Sequence, residues 1–303
     1  MCNAVEERGQ LLDDTGPIAE SEKRAARTFK ADHLFFVTNG TSTSNKIVWN
    51  SLVGAGDIVV VDRNCHSSVL HAIILTGAVP IFLTPTRNLA GIIGPIPRSE
   101  FTPESIQAKI DANPFITDKT KKPRMLALTQ STYDGIIYNA EEITQTLDGH
   151  VDALHFDEAW LPHASFHELY SGMHAISDER ARPRDTMIYA TQSTHKLLAG
   201  LSQASQVLVR EAENTALDQT IFNESFLMHT STSPQYSIIA SCDVSAADRV
   251  SSEPTDWWFD VWAPIRPRVR ASLPARSGSS RPPRSGTASS RSMTASPCST
   301  PSK

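Results

Sequence analysis

Residues 153–160 read ALHFDEAW. A strand-like run, apolar apart from His155, closes on Asp157 and passes at once through Glu158 and Ala159 to Trp160. An aspartate at the end of such a run loses hydration, so it needs either a cation opposite it or hydrogen bonds from its own turn. A protonated pyridine nitrogen is one such cation, and an opposite charge in a dry site favours both ionised forms. Both readings stay open on this stretch alone. The run is short and apolar enough to be buried on both faces, as strands of a parallel sheet are.

Comparable runs stand on either side of it: residues 34–38 (LFFVT), 58–62 (IVVVD), 78–83 (AVPIFL), 125–129 (MLALT), 187–191 (MIYAT) and 206–209 (QVLV). Helix-like stretches separate several of them. Residues 20–29 read as a polar helix, followed by 41–53 and 66–75. Thr102 as cap with Pro103 at the first helical position opens another, to about residue 111. Short buried strands alternating with helices predict an α/β domain with a mainly parallel central sheet. Ligands gather at the carboxyl ends of such strands, and the polar clusters of this chain lie there.

The first cluster is Thr38-Asn39-Gly40-Thr41-Ser42-Thr43-Ser44-Asn45-Lys46. A glycine and a run of hydroxyls leading into a helix can cradle a phosphate through backbone N–H groups and side chains; the same residues also suit a plain N-cap in a tight turn. The second, Asp62-Arg63-Asn64-Cys65-His66, places a histidine just past a strand end, where it could stack on a ring, move a proton, or simply cap. The third is the opening stretch. The fourth, Thr191-Gln192-Ser193-Thr194-His195-Lys196, sets a lysine among hydroxyls and a histidine. A lysine is usually a solvated surface charge, but one at a strand end in this company suits an imine-forming amine. Phosphate cradle, stacking histidine, pyridine-facing aspartate and imine lysine follow one another in the order a pyridoxal-phosphate fold requires.

Bulk properties agree with a globular protein. The formal charge of −5 argues against a general nucleic-acid binder. Cys2, Cys65, Cys242 and Cys298 are scattered, with no CxxC pair or His/Cys cluster at metal-ligand spacing, which predicts free thiols, no metal and a cytoplasmic setting. The N-terminus lacks the apolar core of a signal peptide. No apolar run approaches the roughly 20 residues of a membrane helix.

The chain resembles the bacterial ornithine/lysine/arginine decarboxylases, which are aspartate-aminotransferase-like enzymes of fold type I dependent on pyridoxal 5'-phosphate (PLP). The stretches that carry the resemblance are LLDDTGPIAESEK, VTNGTSTSNKIV, VDRNCHSSVLH, PTRNLAGIIGPI, STYDGIIYN, HFDEAW, ATQSTHKLLAGLSQAS and FLMHTSTSPQY, across residues 11–243. The resemblance implies Lys196 as the Schiff-base lysine, Asp157 as partner of the pyridine nitrogen and His66 as the ring-stacking residue. It implies that Thr41, Ser42, Thr43 and Ser193 hold the phosphate and that His195 lies beside the imine. Ala159 is expected on the ring's other face, Trp160 near the phenolic oxygen, and Ser231 at the neighbouring subunit's cofactor, which makes the expected assembly a homodimer or a higher oligomer of dimers. The implied activity is decarboxylation of a basic amino acid, lysine or arginine ahead of ornithine, in polyamine supply and acid resistance.

The chain also departs from that pattern. The resemblance implies a response-regulator-like N-terminal domain, and residues 1–26 are read as a linker with no counterpart to it. After Ser245-Ala246-Ala247 the sequence steps to Asp256-Trp257-Trp258-Phe259-Asp260-Val261-Trp262 as if a stretch were deleted. It then becomes Arg/Ser/Pro-rich text with no acidic residue after Asp260, read as a shifted reading frame and, on composition, as disordered. The expected organisation is a linker at 1–26, a PLP-binding major domain at 27–247 and an aberrant tail at 248–303. Two other functions fit the same residues: another fold-type-I enzyme (an aminotransferase or aldolase), or an inactive fragment that binds PLP or associates with intact subunits.

Overall fold

Seven strands build one sheet in the order β1-β7-β6-β5-β4-β2-β3. The strands are β1 (His33–Val37), β2 (Ile58–Asp62), β3 (Val79–Leu83), β4 (Met125–Thr129), β5 (Ala153–Asp157), β6 (Met187–Gln192) and β7 (Ser205–Arg210). This is a computed structural model, and it describes residues 11, 15–177 and 179–251. From β6 across to β3 every pairing is parallel. β7 is antiparallel to both β6 and β1. The mainly parallel sheet expected from the sequence is therefore observed, and each of its strands was anticipated within a residue or two. β2, β5, β6 and β7 are buried along their whole length, which is why they read as mostly apolar runs rather than alternating ones.

The helices are α1 (Gly16–Thr28), α2 (Thr41–Leu52), α3 (Ser67–Thr76), α4 (Pro103–Ala112), α5 (Ala140–Leu147), α6 (Thr194–Leu197), α7 (Gln219–His229) and α8 (Tyr236–Ser251). α2 lies over β6 and β7, with α3 and α7 against its flanks. Its apolar side, Ile47, Val48 and Trp49, is fully buried. α1 packs on α8 and β1. It is not the polar helix its charges suggested, because Ile18, Ala19, Ala25 and Ala26 form a buried side. The boundary expected between residues 26 and 27 falls inside α1, and Ile18, Ala25 and Ala26 join the same apolar core as the sheet. The boundary expected at 247 falls inside α8. The aromatic patch and the Arg/Ser/Pro-rich text lie outside the described residues.

Four of the helices went unread in the sequence, among them the single-turn α6. α5 opens with Asn139, whose side chain accepts the Glu142 N–H; an Asn followed three residues on by Glu is a legible start signal. α7 is capped in the same way by Asp218, which accepts from Ile221 N. α8 is mostly small and polar residues, with no strong periodic stripe to announce it.

Candidate active site

The carboxyl ends of the parallel strands meet along one edge of the sheet. Register brings Thr129, Asp157 and Thr191 side by side on β4, β5 and β6. His66 follows β2, Tyr133 follows β4, Trp160 follows β5 and Lys196 follows β6. All four sequence clusters are therefore at this edge, as the topology rule for open α/β sheets requires.

Asp157 is buried, with 6% of its surface exposed. Its Oδ2 accepts from Asn45 Nδ2 at 3.0 Å and its Oδ1 from the Ala159 amide at 3.1 Å. The bond from its own turn is thus present, and a second partner comes from α2. Asn45 Nδ2 also donates to Ser68 Oγ at 2.9 Å, and Asn45 Oδ1 accepts from Thr191 Oγ1 at 2.7 Å. His66 is exposed and is the N-cap of α3: its Nδ1 accepts from Ser68 N at 3.2 Å and lies 2.8 Å from Ser68 Oγ. Capping leaves Nε2 as the protonated nitrogen of the neutral ring and fixes the plane of the imidazole. Cys65, beside it, is pushed up to about 12, chiefly by burial and then by the negative charge of Asp62, so it stays a thiol.

Gly40 begins α2 at φ 77° and ψ 165°, a region open only to glycine. The first helical N–H groups have no partner within the helix and point outward. Thr41 Oγ1 and Ser193 Oγ lie 2.6 Å apart, both buried. Ser42 is exposed and Thr43 half-buried at the same helix start. This joins two of the expected phosphate-binding elements, the α2 N-terminus and the turn after β6, through a single hydroxyl contact.

Lys196 sits on α6, a helix of only four residues. His195 ties that turn down: its Nδ1 and its backbone N–H both donate to Ala204 O, at 2.7 and 3.1 Å. Ala199 has a left-handed φ of 58°, and the chain doubles back so closely at Gly200 that an added Cβ would lie 3.1 Å from the Thr194 carbonyl carbon. Lys196 Nζ hangs 4.6 Å from the Trp160 ring centroid and 5.9 Å from that of Tyr133. These two rings meet edge to face, 4.7 Å apart. A cation over aromatic faces is electrostatically favoured, so the pair holds the amine at the strand edge. Trp160 Nε1 is buried and has no partner among the described residues. Tyr133 was not singled out in the sequence; its place after a strand end, in STYDGIIYN, was the signal available.

Ser231 stands apart. It is exposed in the loop between α7 and α8, where its Oγ accepts the Ser233 N–H at 3.1 Å. None of the contacts described above reaches it. On the opposite side of the sheet from Thr191, Gln192 donates to Glu158 Oε2 at 2.8 Å and accepts from Gln206 Nε2 at 2.8 Å. Glu158 Oε1 accepts from the Ala175 amide at 2.6 Å, and burial drives its carboxyl up to about 7 against the pull of these bonds. Among the described residues, no three His, Cys, Asp or Glu converge as a metal site would require.

Comparison with known proteins gives a consistent picture. The family described as "Orn/Lys/Arg decarboxylase, major domain" matches residues 1–262. Lysine decarboxylase LdcA of Pseudomonas aeruginosa is 51% identical over 288 residues, which cover 86% of this chain and 38% of that protein. The biodegradative arginine decarboxylase of Escherichia coli is 46% identical over 240 residues, covering 79% of this chain and 32% of its own length. The solved structure of lysine decarboxylase A from Pseudomonas aeruginosa superposes with a TM-score of 0.81 at 52% identity, over 89% of this chain and 37% of that one. The chain thus spans well under half the length of these relatives. The fold-type-I architecture expected from the sequence is the one observed.

Proposed function

The chain belongs to the Orn/Lys/Arg decarboxylase family through its major domain, and from that membership we propose that it binds PLP at the β-strand edge around Lys196 and serves the decarboxylation of a basic amino acid, lysine or arginine ahead of ornithine. The observation that carries the reading is the convergence of Lys196, Trp160, Asp157 and the Thr41–Ser193 hydroxyl pair on one sheet edge.

The donor set suits the cofactor. Trp160 Nε1 is a buried donor with no partner among the described residues, beside the amine that would carry the aldehyde carbon. The hydroxyl pair at a helix start suits a phosphate. When bound, PLP supplies an aldehyde that condenses with amines and a protonated ring that accepts the electron pair left by departing CO2.

The residues divide the remaining work. Lys196 Nζ would hold the cofactor through its aldehyde and would be the amine that the substrate amine replaces. Asp157, kept in place by two N–H donors, holds the proton on the pyridine nitrogen. Thr41, Ser42, Thr43 and Ser193 bind the phosphate, His66 and Ala159 cover the two ring faces, and Trp160 donates to the phenolic oxygen. His195, anchored through Nδ1, presents Nε2 beside the amine. Trp160 and Tyr133 hold Lys196 Nζ against their rings.

The chain also acts in a homodimer or an oligomer of dimers, with Ser231 serving the neighbouring site. In support, α3 leaves the neighbouring apolar side chains of Ile74 and Leu75 78% and 59% exposed, surface of the kind that an interface covers. We place the protein in the cytoplasm; the support is its free Cys65 and Cys242, and no helix among the described residues is long and apolar enough to cross a membrane.

The chain purified with PLP and given lysine, arginine and ornithine separately is expected to release CO2 from lysine or arginine. Keto-acid formation without CO2 identifies an aminotransferase instead and contradicts the proposal, as does the absence of any cofactor uptake.

A further inference from the structure

Asn45 is fully buried where the two halves of the site meet. The orientation of its carboxamide follows from its neighbours. An ionised carboxylate only accepts hydrogen bonds, so Nδ2 must face Asp157 and Oδ1 must face Thr191. Thr191 commits its one hydrogen to Asn45 and can then only accept from His155, whose Nε2 lies 3.1 Å away. His155 is consequently protonated on Nε2 and bare on Nδ1, which has no partner among the described residues. Burial, opposed by the weaker pull of Asp157, pushes His155 down to about 4, so the ring is neutral. On the other arm, Ser68 Oγ accepts from Asn45 and keeps its own hydrogen for His66 Nδ1. Donation therefore runs one way, from His155 through Thr191 to Asn45, and from Asn45 to Asp157 and, by Ser68, to His66.

Resting on the reading that Asp157 and His66 hold the cofactor ring, we propose that Asn45 is a positioning residue whose single carboxamide keeps that acid and that histidine in one fixed relation, with the tautomer of His155 set as a consequence. An apolar side chain of equal size would leave Asp157 Oδ2, Thr191 Oγ1 and Ser68 Oγ without this partner, and unpaired buried polar atoms rearrange or take up water. A role in packing alone makes no demand on the protonation of a histidine two bonds away.

The test is nitrogen-15 NMR of the histidine rings in the full chain without PLP, followed by PLP titration of the same protein, for wild type, Asn45→Leu and Thr191→Val. Wild type is expected to show His155 as one tautomer, protonated on Nε2. Asn45→Leu frees the Thr191 hydroxyl to donate to His155, so the proton moves wholly or partly to Nδ1, and PLP affinity falls at least tenfold. Thr191→Val removes the clamp on Asn45 Oδ1 together with the acceptor of His155 Nε2, while leaving the Asn45–Asp157 bond in place, and is expected to weaken PLP binding several-fold, which keeps the proposal open to test should Asn45→Leu not fold. Wild-type His155 protonated on Nδ1 overturns the relay even with normal PLP uptake, as do folded variants that bind PLP like wild type. A wild-type chain with the expected tautomer but no PLP uptake sinks the cofactor reading, and Asn45's role toward the ring with it.

Discussion

Glu158 lies one residue past Asp157 and faces the other side of the sheet. Its carboxyl is driven up to about 7 by burial, against hydrogen bonds from Gln192 and the Ala175 amide. In the unfolded chain it titrates near its ordinary value of 4.5, so between the two values the fold holds a proton that the unfolded chain has released. This contribution is fully present below about pH 4.5 and is lost as pH rises through 7. Glu158→Gln removes it. The stability of the variant relative to wild type, from urea unfolding, is expected to rise by about 1–3 kcal/mol between pH 5 and 7.5; a difference that does not change with pH contradicts the account. Legibility at this scale was uneven. His66 and Asp157 drew attention because each sits at or soon after the end of an apolar run, and what the structure shows of them is the plainer reading, capping for His66 and turn bonding for Asp157. Asn45 and Tyr133 were not singled out, since a buried amide's partners come from distant segments that no local pattern announces.

The glycine that starts α2 belongs to the element scale. At φ 77° and ψ 165°, Gly40 has nothing within 4 Å of where a Cβ would stand. Gly40→Ala therefore meets conformational strain without collision, and is expected to cost about 1–3 kcal/mol of stability. If the variant instead keeps its geometry, a denaturation midpoint equal to wild type contradicts the strain argument. The strands were legible because both faces of the sheet are covered, which leaves apolar runs bounded by turn residues. α5 and α7 carried cap signals that went unread, and α8 carried too little periodicity to be seen. The antiparallel course of β7 was not legible at all. It follows from the tight α6 turn, where His195 holds to Ala204 and Gly200 packs on Thr194, and that turn closes only through contacts across the loop.

Across the whole molecule, one sheet edge gathers residues drawn from position 40 to position 196. That is why the order of the motifs carried more information than any one of them. The family match covers residues 1–262, while the chain spans 38% of its relative from Pseudomonas aeruginosa. The proposed function therefore turns on one property of this chain itself, the attachment of PLP at Lys196 at the sheet edge that carries Asp157. Borohydride reduction of the PLP-loaded full chain, followed by mass mapping of its peptides, reads this directly. The account predicts one phosphopyridoxyl label, on the peptide containing Lys196, and none in the Lys196→Ala variant. A label on another lysine, or one that persists in that variant, contradicts it.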